Sequence, residues 1–265
     1  MNVGRSDKLR SLLDAWEPHT VATSPHLKSL GLTAQDLQNY TTSHWLVALG
    51  RGAFKRPNES VTWQGALYSV QTQLNLPVHV GALTALEMTG NSHYVRFGQS
   101  KAYLFSPLRV VMPAWFRAHW GDAVRHMQSK LLPDGLGLTE QRAPEGFLLK
   151  TASTERAILE LLHLAPKEFD LVEAGQIVEG MTSLRPRLMQ SLLEECTSVK
   201  VRRLFLYLAE RADLPVMRHL DLGRLDLGSG DRSLARMGRY VPKYQLLLPC
   251  WGGRLPTASQ CARVS

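Results

Sequence analysis

In DKLRSLLDAW, residues 7–16, Leu9, Leu12, Leu13 and Trp16 recur at helical spacing and predict a helix that ends at Glu17-Pro18. A second, short helix is expected over 24–30, with Ser24 as N-cap, Pro25 at the first helical position and Gly31 as its stop. Thr33 can cap a third, in which Leu37 and Tyr40 lie on one side, and which runs to about Ser43. The period then changes. Leu46-Val47-Ala48-Leu49 and Ala53-Phe54-Lys55 read as strands around Gly50-Arg51-Gly52, a hairpin whose tip needs backbone of positive φ. Three helices followed by a hairpin is the order of a winged helix-turn-helix, with LGLTAQDL as the turn between the second and third helices.

Beyond the hairpin, a helix capped at Ser60 or Thr62 is expected to Val70, and residues 78–90 read as a strand turning at Gly81 into a short helix. Strands are expected around Tyr94–Phe97 and Ala102–Phe105, and Trp115, Phe116 and Trp120 read as an aromatic core cluster. From Thr151 the texture is helical, over 155–164, 186–196 and 199–212. Residues 225–243 read as a basic loop leading to a strand, Tyr244–Leu248. The expected fold class is α+β: a winged helix-turn-helix over 1–60, a larger mixed α/β C-terminal domain over 61–250, and a tail over 251–265.

The 265 residues carry a formal net charge of +8, which favours a polyanionic partner. That excess divides as +2 for residues 1–60, −1 for 61–195 and +7 for 196–265, so most of it lies in the last quarter. In a winged helix the third helix enters the major groove and the wing lies on backbone or minor groove. Gln35, Gln38, Asn39 and Thr42 are then the candidate base readers, and Arg51, Lys55 and Arg56 the candidate wing contacts; ordinary solvated positions are the competing reading for the helix. Lys200, Arg202, Arg203, Arg232, Arg236, Arg239 and Lys243 form a second candidate contact, for an anion or for an acidic partner protein.

No catalytic constellation accompanies these charges. The chain has no G-x-x-x-x-G-K-[ST], no G-x-S-x-G and no H-E-x-x-H. LGSGDRS, 227–233, suggests a nucleotidyltransferase loop, but after Asp231 no acidic residue remains to hold a metal, so a structural loop is expected. Cys196, Cys250 and Cys261 have no zinc-ligand spacing, and the nine histidines are scattered. The expectation is a non-enzymatic protein without cofactor or metal. The opening residues lack the apolar core of a signal peptide, and no apolar run reaches the ~18–20 residues that cross a bilayer. A cytoplasmic protein without membrane contact is expected.

HWLVALGRGAFKRPNESVTWQGALYSVQ, NLPVHVGALTALEMTGNSHYVRFG, PAWFRAHWG, ECTSVKVRRLFLYLAERA and LDLGSGDRSLARMGRYVPKYQLLLP resemble, in order, the sequence blocks of the AbiEi family of bacterial antitoxins. The resemblance covers about residues 5–249, with His44 where the family commonly has glycine and Phe54 in place of tyrosine. It implies an antitoxin of a type IV, abortive phage-infection system, encoded beside a nucleotidyltransferase-like toxin. It also implies an N-terminal winged helix that binds and represses the operon's promoter DNA at inverted repeats. The C-terminal domain is implied in antagonism of the toxin, which the family neutralises without a stable complex. A winged-helix regulator with no toxin partner is the alternative.

Overall fold

The computed structural model describes residues 10, 12–90, 101–235 and 237–249, with the backbone of 262–263. The strand expected around Tyr94–Phe97 and nearly all of the tail fall outside them. The fold is α+β and divides into two compact units, one of Met1–Val80, Arg96–Ser129 and Thr139–Thr151, the other of Gly81–Val95, Lys130–Leu138 and Ala152–Ser265.

The first unit opens with helical residues at 12–15, then β1 (Ala22–Thr23), α1 (Ser24–Ser29), α2 (Ala34–Thr42), β2 (Val47–Gly50) and β3 (Ala53–Lys55). The strands form an antiparallel sheet in the order β1-β3-β2, the wing of a winged helix. Leu12, Trp16, Ala22, Leu27, Leu32, Leu37, Tyr40 and Leu46 meet in one core, with Phe54 packed against it. Each large apolar side chain buried there contributes ~1.5–3 kcal/mol, which offsets the ordering of a short bundle. Thr23, not Ser24, is the N-cap of α1, because the helix begins where β1 ends. The Ser24 N–H donates across the wing to the Gly52 carbonyl at 2.8 Å.

Helix α2 is closed at both ends. Thr33 and Asp36 form a reciprocal capping box: Asp36 N–H donates to the Thr33 hydroxyl at 3.1 Å, and Thr33 N–H to the Asp36 carboxylate at 2.9 Å. At the other end His44 N–H donates to the Thr41 carbonyl (3.2 Å) and Trp45 N–H to the Tyr40 carbonyl (2.9 Å). These two bonds make a Schellman motif, with His44 in the left-handed position at φ +60° that glycine usually fills. Left-handed backbone costs an L-residue roughly 1–2 kcal/mol, and glycine returns part of that as unfolded-chain entropy. His44→Gly should therefore raise the unfolding free energy by about 0.5–1 kcal/mol, read from urea denaturation; a decrease would mean that the imidazole makes a compensating contact.

The first unit continues with α3 (Trp63–Thr72), capped by Thr62, and β4 (His79–Val80). After α4 (Ala82–Met88), which belongs to the second unit, come β5 (Ala102–Ser106), α5 (Ala114–Trp120), β6 (Val124–Gln128), β7 (Leu138–Arg142) and β8 (Leu148–Ala152). The five strands make a mixed sheet in the order β6-β5-β4-β8-β7. Trp115, Phe116 and Trp120 form the expected aromatic cluster, with ring centroids 5.7–6.2 Å apart.

The second unit is built on α6 (Thr154–Leu164), which packs against α4, α7 (Leu171–Glu179), α8 (Pro186–Glu195) and α9 (Val199–Arg211). Helix α6 is buried on nearly every face, charges included. Arg156 Nε pairs with Glu160 at 2.8 Å, and Glu155 is held by Arg185 at 2.8 Å. A small sheet, β12-β10-β11-β9, completes the unit from β9 (Arg232–Ser233), β10 (Met237–Val241), β11 (Leu246–Leu248) and β12 (Ala262–Arg263). The expected basic loop thus contains two strands. The last predicted strand is shortened to β11, because Pro242–Tyr244 is a 3-10 turn and Gln245 is left-handed.

Candidate nucleic-acid interface

Helix α2 turns Leu37 and Tyr40 inward and Gln35, Gln38 and Thr42 outward, with Asn39 half-buried. Gln35 Nε2 donates to Asn39 Oδ1 at 3.2 Å, and the Thr42 hydroxyl donates to the Gln38 carbonyl at 3.0 Å. All four candidate readers line one cleft of about 950 Å³, shared with Arg10 and Trp45. Gln38 and Thr42 also line a second cleft of about 390 Å³, beside Ser24 and Lys28. They therefore stand on a ridge between two hollows, with the Gln38 amide exposed. Asp36 is spent on the cap, and the Ser43 hydroxyl on the Asn39 carbonyl at 2.8 Å.

The wing tip shows why two glycines flank one cation. Gly50 has φ +142°, and a Cβ there would come within 3.3 Å of Trp115 Cβ; Gly52 has φ +80°. The wing also rests on α5 through His119, whose Nε2 donates to the Leu49 carbonyl at 2.6 Å. Arg51 is exposed and, among the described residues, pairs with nothing. The other two expected wing cations, Lys55 and Arg56, are half-buried and make contacts within the unit. Lys55 Nζ donates to the Glu59 carbonyl at 2.8 Å. Arg56 is turned into the unit, donating to the carbonyls of Leu13 (2.7 Å) and Trp16, pairing with Glu59 at 3.3 Å and lying 5.4 Å from the Trp16 ring centre. It ties the wing to the end of the first helix, and Arg51 is left as the cation at the tip.

The C-terminal cations divide in the same way. Arg203 is 2% exposed and Arg202 6%. The Arg203 guanidinium donates to the carbonyls of Leu227 and Gly230 at 2.7 Å, Gly228 at 3.1 Å and Gln245 at 3.4 Å, and to the Gln245 side chain at 2.9 Å. The first part of LGSGDRS, residues 227–230, is therefore a loop wrapped around a buried cation, and its last two residues form β9. Arg202 faces Asp226 at 3.6 Å. Lys200 Nζ donates to the carbonyls of His163 (2.9 Å) and Ala165 (2.6 Å), and burial, with Lys167 nearby, brings its ammonium down to about 8. Arg202 and Arg203 are thus buried, and Lys200 is half-buried. Arg232, Arg239 and Lys243 are exposed, although Lys243 is paired with Glu210; Arg236 lies outside the described residues.

Among the described residues no three His, Cys, Asp or Glu side chains are grouped to hold a metal ion, and no helix is long and apolar enough to cross a membrane. The family model for the N-terminal domain of the AbiEi antitoxin transcriptional regulators matches residues 5–97, and that for the AbiEi antitoxin transcriptional regulators of type IV toxin–antitoxin systems matches residues 99–249.

The chain belongs to the AbiEi antitoxin family. The crystal structure of the RV2827C protein from Mycobacterium tuberculosis is similar at a TM-score of 0.57 and 13% identity, covering 91% of this chain and 90% of that one. At that identity the likeness concerns the AbiEi fold alone. Among curated proteins, none matches the chain in sequence. Sequence reasoning gave Trp45 no role; it is exposed directly after the stop of α2 and before the wing. His119, one of the scattered histidines, is hydrogen-bonded to the wing from 70 residues away.

Proposed function

We propose that this chain is the antitoxin and autorepressor of its operon, binding promoter DNA through the winged helix and opposing a nucleotidyltransferase-like toxin. The carrying observation is the ridge of α2 with its exposed amides, in the same unit as a wing tip whose one cation, Arg51, is unpaired among the described residues. Amide side chains of this length suit an adenine edge in the major groove, and a guanidinium on a tight tip suits phosphate or the minor groove. In this reading Gln35, Gln38, Asn39 and Thr42 read bases, and Arg51 holds the backbone. A winged-helix domain over 1–60 and a toxin-opposing domain over 61–250 remain part of the proposal. Arg232, Arg239 and Lys243, with Arg236, supply the second anionic contact.

Two experiments test it. The duplex upstream of the reading frame, titrated with the full chain at several salt concentrations, should bind far more tightly than a scrambled duplex of equal length. Co-expression with the neighbouring reading frame should restore growth to cells that the neighbour alone arrests. DNA binding without rescue would leave a regulator that opposes no toxin; rescue without DNA binding would remove the repressor role.

A further inference from the structure

Trp45 is 50% exposed, whereas its neighbour Leu46 is 1% exposed and belongs to the core. The backbone at this point is fixed on both sides. The Trp45 and Leu46 N–H groups both donate to the Tyr40 carbonyl, at 2.9 and 3.1 Å, and His44 before them holds the left-handed turn. An apolar residue is common in this position of a Schellman motif, where it covers the helix's last turn. Tyr40, the last-turn residue of that motif, is 3% exposed, while Trp45 itself stays 50% exposed. The remaining indole surface borders the cleft lined by Arg10, Gln35, Gln38 and Thr42, and its N–H has no hydrogen-bond partner among the described residues. A rigid aromatic surface lies beside amides and a cation that suit DNA.

We infer that Trp45 is a DNA-contact residue, its indole lying against an apolar element of the duplex, a thymine methyl or a deoxyribose, next to the bases met by Gln38 and Thr42. The inference rests on the DNA-binding reading of the winged helix. The major groove offers the thymine methyl as an apolar feature beside hydrogen-bonding edges, and a flat indole on an ordered backbone meets it with little ordering cost. Unlike Arg51, such a contact displaces no counterion, so its loss weakens binding without changing the salt slope.

The test uses the full chain and the duplex upstream of its own reading frame, followed by fluorescence anisotropy of labelled DNA. Trp45→Ala should weaken binding about 10-fold at fixed salt with an unchanged slope of log K against log salt, and Trp45→Phe should recover most of the loss. Circular dichroism and the urea midpoint should match the parent chain. A duplex with uracil for thymine separates the two sources: equal loss for the parent chain and none for Trp45→Ala assigns the methyl, and no loss for either assigns the sugar. If the parent chain does not bind the upstream duplex, the DNA-binding reading fails and this inference with it. If it binds and Trp45→Ala binds equally well, the inference alone is overturned. It is also overturned if the loss follows a lowered urea midpoint, or if light scattering shows that Trp45→Ala has converted a dimer to monomers, which would assign the indole to a second copy of the chain.

Discussion

Arg203→Ala is expected to lower the unfolding free energy by about 3–5 kcal/mol, read from urea denaturation of the full chain. The guanidinium is buried and, among the described residues, pairs with no carboxylate; its donors are shared among the carbonyls of Leu227, Gly228, Gly230 and Gln245 and the Gln245 side chain. A charged donor satisfied by that many acceptors contributes through bonds of ~1.5–3 kcal/mol each, and its removal leaves buried acceptors that cost about 1–3 kcal/mol apiece when not rehydrated. The truncation also opens a void beside α9. Full additivity would exceed the predicted range, but water reaching part of the loop limits the loss. Arg203→Lys should recover less than half of it, because an ammonium on a longer stem cannot address acceptors spread around a planar fork. Arg232→Ala, at an exposed position, should cost less than ~0.5 kcal/mol. A loss below ~1 kcal/mol for Arg203→Ala would mean that the 227–230 carbonyls are hydrated and that the loop stands without its cation.

The same residue shows where sequence reading stopped. The pattern of 199–212 predicts the helix, but it offers Lys200, Arg202 and Arg203 as a contact for an anion or an acidic partner protein. Val201 through Leu206 are all buried, and the acceptors that make burial of Arg203 tolerable lie 24 to 42 residues downstream. No local pattern encodes that. The winged helix was more legible because its determinants are close in sequence: the Thr33–Asp36 cap, the stop at Gly31, the glycines around Arg51. Even there, half of the reason for Gly50 is the approach of Trp115, 65 positions away. Strands β6, β7 and β8 went unseen because VRHMQ, LTEQR and LLKTA are short and polar on one side. Helix α7 went unseen for a different reason: LVEAGQIVE carries a central glycine that suggests a break, and Gly175 is buried inside the helix.

Arg51→Ala and Arg56→Ala should separate the proposed DNA contact of the wing from its anchor, although both remove one cation from the same hairpin. A cation that neutralises one phosphate releases about 0.9 counterion, so Arg51→Ala should lower the magnitude of the slope of log K against log salt by ~0.9 and weaken binding to scrambled and upstream duplexes alike. Arg51 is exposed and unpaired among the described residues, so its loss should leave the urea midpoint unchanged. Arg56 predicts the reverse. Its bonds to the Leu13 and Trp16 carbonyls, its pairing with Glu59 and its place beside the Trp16 ring hold the first helix to the wing. Arg56→Ala should cost about 2–3 kcal/mol of stability, as expected for a charged donor shared among partly buried acceptors. Well below its lowered midpoint, it should retain the parent slope. If Arg56→Ala reduces the slope as Arg51→Ala does, the guanidinium swings out onto phosphate when DNA arrives, and the anchor is a property of the free protein. If neither variant changes the slope, the wing carries no phosphate contact, and the ridge of α2 must supply the binding without it.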